Sequence, residues 1–225
     1  TEGDNKGEYR GVANGMPNPQ QDDYKAMSAP NVQEKSTDSP LRWMMASEVA
    51  FLRAEGAMRG WTAEMGGTAE EFYNKGIELS FLENGLSADA AARYAADETS
   101  KPTDFTDVSA ANTKYNISAL GKITIKWNAG ASEEEQLERI ITQKWIAMFP
   151  NGTEAWSEFR RTGYPLIFPV RSNYPTSGVD TNKQIRRMVF PQSEYSNNGA
   201  AVQEAVKLLG GPDNGGTKLW WDKKN

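Results

Sequence analysis

Few side chains in this sequence could make or break a covalent bond, and Glu154 and Glu158 come nearest to a catalytic pair. Two carboxyls can cleave a glycosidic bond when they face each other across a cleft at about 5–9.5 Å. Residues four apart on a helix share one surface instead, so the spacing predicts solvated helix charges. Glu194 is a more distant third candidate. The 225 residues include no His and no Cys. The commonest general base, the commonest zinc ligand and every thiol nucleophile are therefore missing from this chain. Ser-His-Asp catalysis and HExxH zinc chemistry are excluded within it, which leaves carboxylate, Lys or Tyr chemistry. No D-x-[DN]-x-[DN]-G calcium loop is present, and Asp4-Asn5 and Asp213-Asn214 read as turns. The chain reads as non-enzymatic, with no cofactor and no metal.

Recognition chemistry is better supplied, with seven Trp, eight Tyr and eight Phe. An aromatic face can cover the apolar C–H face of a sugar ring while neighbouring donors bind its hydroxyls. Tyr9, Tyr24, Trp61, Tyr115, Trp127, Tyr174 and Tyr195 fall at helix ends or in loops, where scaffolded binding residues concentrate. Tyr9-Arg10-Gly11 and Arg171-Ser172-Asn173-Tyr174 add hydrogen-bonding groups beside an aromatic. The ligand-contact candidates are Tyr9, Arg10, Tyr24, Trp61 and Tyr174. Trp145, Trp156 and Phe159 recur at helical spacing and are expected in the core. Glu48, Arg53 and Glu55 share one helix and are expected to form ion pairs between helical hairpins. The 25 basic and 30 acidic residues are interspersed, for a net charge of −5. A nucleic-acid partner, which needs clustered Lys and Arg to displace counterions, is not expected.

The elements that position these residues are mainly helical. Ser39-Pro40 reads as a helix start, and Trp43, Ala46, Ala50, Ala54, Ala57 and Trp61 recur at steps of three or four, giving one face of a helix that runs to about Arg59, with Gly60 as its stop. Thr68-Ala69-Glu70-Glu71 is a capping box opening a second helix, with a stripe of Phe72, Tyr73, Gly76, Ile77, Ser80 and Phe81 that ends at Asn84-Gly85. Together they make an antiparallel hairpin of tetratricopeptide-like length that cannot bury its face alone. Ser87 caps a third helix, Ala88 to about Ala96. A second capping box, Ser132 to Glu135, opens a helix with Leu137, Ile140, Ile141, Trp145, Met148 and Phe149 on one face. Pro150-Asn151-Gly152 breaks it, and a short helix from Thr153 runs to Gly163. A last helix is read at Ala200–Leu209, and short strands at Lys122–Trp127 and Arg187–Pro191. Residues 1–40 read as an irregular segment packed on the body formed by residues 41–225.

Four blocks of sequence resemble the C-terminal part of SusD-like (RagB/SusD) proteins. They are Leu41–Ala57 with Gly60-Trp61; Ala69–Ile77; Ile140–Ala147 with Glu154–Pro165; and Arg186–Pro191 with Glu194-Tyr195 and the terminal Leu219-Trp220-Trp221-Asp222. The resemblance implies a fold that is mainly α, with tetratricopeptide-like helical hairpins, long irregular loops and few short strands. It implies non-enzymatic capture of a nutrient, most often an oligosaccharide, above a SusC-like TonB-dependent transporter on the outward face of the cell outer membrane. The family's membrane attachment is an N-terminal lipidated Cys, and the resemblance implies that this residue and the rest of the family's N-terminal half lie outside this chain. A second reading of the same hairpins is a protein-interaction module that docks on the transporter without touching ligand.

Overall fold

This structure, a computed structural model, describes residues 9–16, 24, 25, 27, 28, 42–173 and 177–224. The chain divides into two compact units: Lys35–Thr103 with Leu120–Ile167, and Thr1–Glu34 with Asp104–Ala119 and Phe168–Asn225. Ser39, Pro40, Asp4, Asn5 and Tyr174, and most of the segment 1–40, lie outside the described residues.

The first unit is helical. It contains α1 (Ala46–Met58), a single turn α2 (Thr62–Met65), α3 (Ala69–Glu83), α4 (Ala88–Ala95), α5 (Glu133–Ala147) and α6 (Gly152–Thr162). The α3 cap forms in full: Thr68 accepts from the Glu71 amide while the Glu71 carboxylate accepts from the Thr68 amide. Ser87 likewise accepts from the Ala90 amide and starts α4. At α5 only half of the expected box forms. Ser132 accepts from the Glu135 amide, but the Glu135 carboxylate turns to the Arg139 guanidinium, 2.7 Å away.

Helix α1 begins at Ala46, later than the sequence predicts, and its N-cap Met45 offers no side-chain bond. The missing acceptor comes from α3. Glu83 takes the Ser47 amide at 3.0 Å and the Ser47 hydroxyl at 2.6 Å, satisfying a first-turn donor from across the hairpin. Trp43 consequently precedes the helix and is exposed instead of joining its inner face.

α1 and α3 meet at Phe51, Ala54, Tyr73 and Ile77, and α5 completes the core with Leu137, Ile140 and Ile141. Each such large side chain contributes about 1.5–3 kcal/mol by leaving water. Gly76 lets the hairpin close: a Cβ there would sit 2.7 Å from the Phe51 ring. Tyr73 stacks edge-on to Phe51 at 6.2 Å and lies 5.2 Å from Trp127. Burial pushes its phenol far above the ordinary range, so it serves as a donor, to the Ile125 carbonyl. The segment expected as a strand at Lys122–Trp127 is instead a strap across the helices. Its polar backbone goes to helix side chains and a loop: Arg139 donates to the Lys126 carbonyl, and the Lys126 amide donates to Asp97.

The α5 stripe is rotated from its sequence reading. Leu137, Ile140, Ile141 and Met148 are buried, but Trp145 and Phe149 are exposed by 40 % and 68 %. Lys144 takes the inward place and is 1 % exposed.

In the second unit the described elements are a 3₁₀ segment, Ala110–Tyr115, and helix α7, Gln192–Leu208. α7 starts earlier than predicted because a kink at Asn198 joins two helical runs. Among the described residues the β-structure is limited to an isolated bridge between Phe105 and Ile117, and Arg187–Pro191 pairs with no strand. Irregular backbone takes its hydrogen bonds from other loops, from water or from side chains. Asp213 supplies several, accepting from Arg187, from the Phe190 amide and from the Tyr195 hydroxyl, so it is more than the turn residue expected. The turn itself is closed by Asn214, which accepts from the amides of Gly216 and Thr217. Arg186 and Asp222 form a buried two-pronged pair at 2.6 and 2.7 Å.

Candidate binding surface around Trp61

Gly60, just past the end of α1, turns the chain with a φ of +87°, which only glycine adopts without strain. The chain then folds back, with the Trp61 amide donating to the Gly56 carbonyl at 3.0 Å, and α2 carries Met65 onto α1. Gly56 makes room for this return, since a Cβ there would lie 2.9 Å from the Met65 sulfur and 3.5 Å from the Trp61 ring. The result is an open depression of about 470 Å³, walled by Val49, Leu52, Met65 and Trp61. That size falls within the roughly 300–1,000 Å³ of small-ligand sites. Trp61 is 57 % exposed, so an indole face is available on a rigid helix end.

Arg53, Arg59 and Arg161 surround the floor at Glu55. Arg161 reaches in from α6 and grips both Glu55 oxygens, at 2.7 and 2.6 Å. Arg59 adds two bonds at 2.9 and 2.8 Å. Burial opposes ionisation of Glu55 more than any other single influence, but the bonds and charges of Arg161 and Arg59 together outweigh it and hold the carboxyl below its ordinary value. Arg53 does not join the expected ion pairs. It lies 4.0 Å over the Phe72 ring and donates to the Met65 carbonyl, pinning α2 to α1.

Behind the depression the ion pairs predicted between hairpins do form, through Glu48 and Glu55. Lys144 is the centre, with Glu158 at 2.9 Å, Glu154 at 3.1 Å and Glu48 at 3.8 Å. Arg161 bridges Glu158 to Glu55. Glu154 and Glu158 are therefore not the solvated pair expected: both point at one ammonium, and Glu158 is buried. Glu48, desolvated first of all and drawn back only partly by Lys144, titrates above its ordinary value.

The other sequence candidates fall elsewhere. Tyr9 and Arg10 belong to the second unit; Tyr9 is 99 % exposed, and Arg10 donates to the Thr106 carbonyl. Tyr24 is buried, and its hydroxyl donates to Asp107 and accepts from Asn112. Tyr115 and Trp127 are buried as well, and Tyr195 bonds to Asp213. Tyr9 and Arg10 thus belong to one unit and Trp61 to the other. A wider groove of about 810 Å³ runs between α3 and α4, but its aromatic, Trp127, is only 8 % exposed. Sequence reasoning found Trp61 from its place at a helix end and missed Arg59, Met65 and Arg161. Arg161 stands 106 residues from Glu55, beyond any local pattern.

The SusD-like family model, described as Susd and RagB outer membrane lipoprotein, matches residues 1–222. The chain belongs to the SusD-like family. Solved SusD-like structures agree. This SusD-like chain is 44 % identical to a chitin-binding SusD homolog from Flavobacterium johnsoniae, with a TM-score of 0.88 over 98 % of this chain and 44 % of that one. A SusD-like protein from Bacteroides thetaiotaomicron is 44 % identical, with a TM-score of 0.85 over 96 % of this chain and 44 % of that one. A SusD homolog from Bacteroides vulgatus is 38 % identical, with a TM-score of 0.86 over 97 % and 43 %. The chain thus spans less than half the length of these relatives. No curated protein matches it. Among the described residues no helix is long and apolar enough to cross a membrane.

Proposed function

We propose that this chain is part of a non-enzymatic binding protein on the outward face of the bacterial outer membrane. It holds an oligosaccharide, or another nutrient, for a SusC-like TonB-dependent transporter. The observation that carries this reading is the 44 % identity and 0.88 TM-score to a chitin-binding homolog over 98 % of the chain. The exposed indole of Trp61, beside the part-exposed guanidinium of Arg59, supports it with a surface on which a sugar ring can stack. Tyr9 and Arg10, in the other unit, are a separate candidate of the same chemistry. Glu154 and Glu158, spent on Lys144, argue against glycosidase chemistry. Isothermal titration of chitin oligosaccharides and a panel of other glycans tests the proposal. Saturable binding, weakened by Trp61→Ala and without hydrolysis of the glycan, is the expected result; hydrolysis of any panel member overturns it.

A docking module that leaves ligand to others is the second reading. It is favoured by Trp145, Ile146 and Phe149, exposed by 40, 49 and 68 % on and just beyond α5. Co-purification with the transporter in the absence of any glycan binding distinguishes it from the first.

A further inference from the structure

The groups that line the Trp61 depression are unbalanced in hydrogen-bonding type. A neutral sugar hydroxyl both gives and takes a hydrogen bond, so a site selective for neutral sugars presents acceptors as well as donors. Glu55 is the carboxylate of this depression, and its two oxygens already receive four N–H bonds from Arg161 and Arg59. The Met65 carbonyl is taken by Arg53. Guanidinium groups have donors only. Arg59 and Arg161 remain 42 % and 37 % exposed, so donor N–H groups are what the opening offers. Counting the lining residues, three guanidiniums face one carboxylate.

Resting on the glycan-binding reading, we propose that this depression selects an acidic sugar. The ring of a uronic acid residue stacks on Trp61, and its carboxylate is taken by the Arg59 guanidinium. At C6 the carboxylate is acceptor-only, so there it matches the donor-only rim, where the 6-hydroxyl of a neutral ring brings a proton with no acceptor. Val49, Leu52 and Met65 cover the apolar edge of the same ring. Arg161 stays with Glu55 and Glu158 and positions Arg59 through their shared carboxylate. Charge and stacking thus come from different residues and can be removed separately.

The test is calorimetric titration of the 225-residue chain with three oligosaccharides of one length: a neutral β-linked glucose oligomer, the same oligomer carrying uronic acid residues, and the methyl ester of that acid. The acidic form is expected to bind about tenfold more tightly than the other two, the scale of one charge-assisted hydrogen bond near solvent. That preference is expected to shrink between low and high salt. Arg59→Gln removes the preference, Arg59→Lys restores part of it, and Trp61→Ala weakens all three ligands together. Circular dichroism of each variant verifies that the helices persist. Equal binding of the three oligomers, or an acidic preference untouched by Arg59→Gln, overturns the acidic selection while leaving glycan binding in place. Failure of all three, and of every glycan in the wider panel, overturns both.

Discussion

Replacing Lys144 with Met probes the polar centre of the helical unit. Lys144 is 1 % exposed and lies within 3.8 Å of Glu48, Glu154 and Glu158. Methionine keeps the length and apolar stem of the side chain, so the loss is mostly electrostatic. Removing one member of a buried ion pair costs about 3–5 kcal/mol, because the other charge is left without a partner. The three carboxylates share that loss unequally. Glu158 keeps Arg161 at 2.6 Å, and Glu154, 34 % exposed, turns to water. Glu48, with a side chain 9 % exposed, is the group left stranded. The expected cost is therefore at the lower end, about 3 kcal/mol. For a chain of this size it corresponds to a fall of about 6–12 °C in Tm. Urea unfolding followed by far-ultraviolet circular dichroism measures it at pH 7 and again at pH 5. Glu48 already titrates above its ordinary value in the folded chain, first through burial. A carboxyl of that kind makes folding more favourable as pH falls through its folded value, since the native state binds the extra proton. Without Lys144 the effect is larger, so the defect of the variant shrinks on acidification. A loss under about 1 kcal/mol at pH 7, or a defect unchanged at pH 5, refutes the reasoning.

Glu55→Gln has the opposite pH signature. The folded carboxyl is held below the ordinary value of 4.5, so its contribution is present above that value and lost as pH falls through the folded one. The variant is expected to be about 1.5–3 kcal/mol less stable at pH 7, by chemical denaturation, with the gap closing under acid. Gly76→Ala drives a methyl against the Phe51 ring at 2.7 Å. Overpacking of about 1–3 kcal/mol is expected to exceed the gain in helix propensity, giving a lower urea midpoint. Thr68→Ala removes the α3 cap and costs about 1 kcal/mol by the same assay, with no change in the fold.

Local chemistry was readable in the sequence, and partners distant along the chain were not. The caps Thr68, Ser87 and Ser132 and the stops at Gly60 and Gly163 act on neighbours within one turn, so their residue types announce them. The start of α1 is not legible locally because its acceptor, Glu83, stands 36 residues from Ser47. Spacing placed Trp145 inward on apolarity alone. Lys144 took the position because three carboxylates from α1 and α6 wait there, a fact no hydropathy pattern carries. The strand-like alternation at Lys122–Trp127 reflects a strap with one side on the helices, and its hydrogen bonds go to side chains and a loop instead of a neighbouring strand. At the candidate site, Trp61 was visible from its place after Gly60. The guanidinium rim was not, because it assembles from α1 and α6 around a shared glutamate.

The double duty of Glu55 limits how this surface can be remodelled. Arg161 cannot be exchanged for a residue of different specificity without also loosening the hold of α6 on α1. Trp61 carries no such obligation, and the bonds of Arg59 to Glu55 lie within one turn of the same helix end, so its exchange leaves the grip of Arg161 on α1 in place. Libraries aimed at new recognition should therefore vary positions 59 and 61 and leave 55, 144, 158 and 161 fixed.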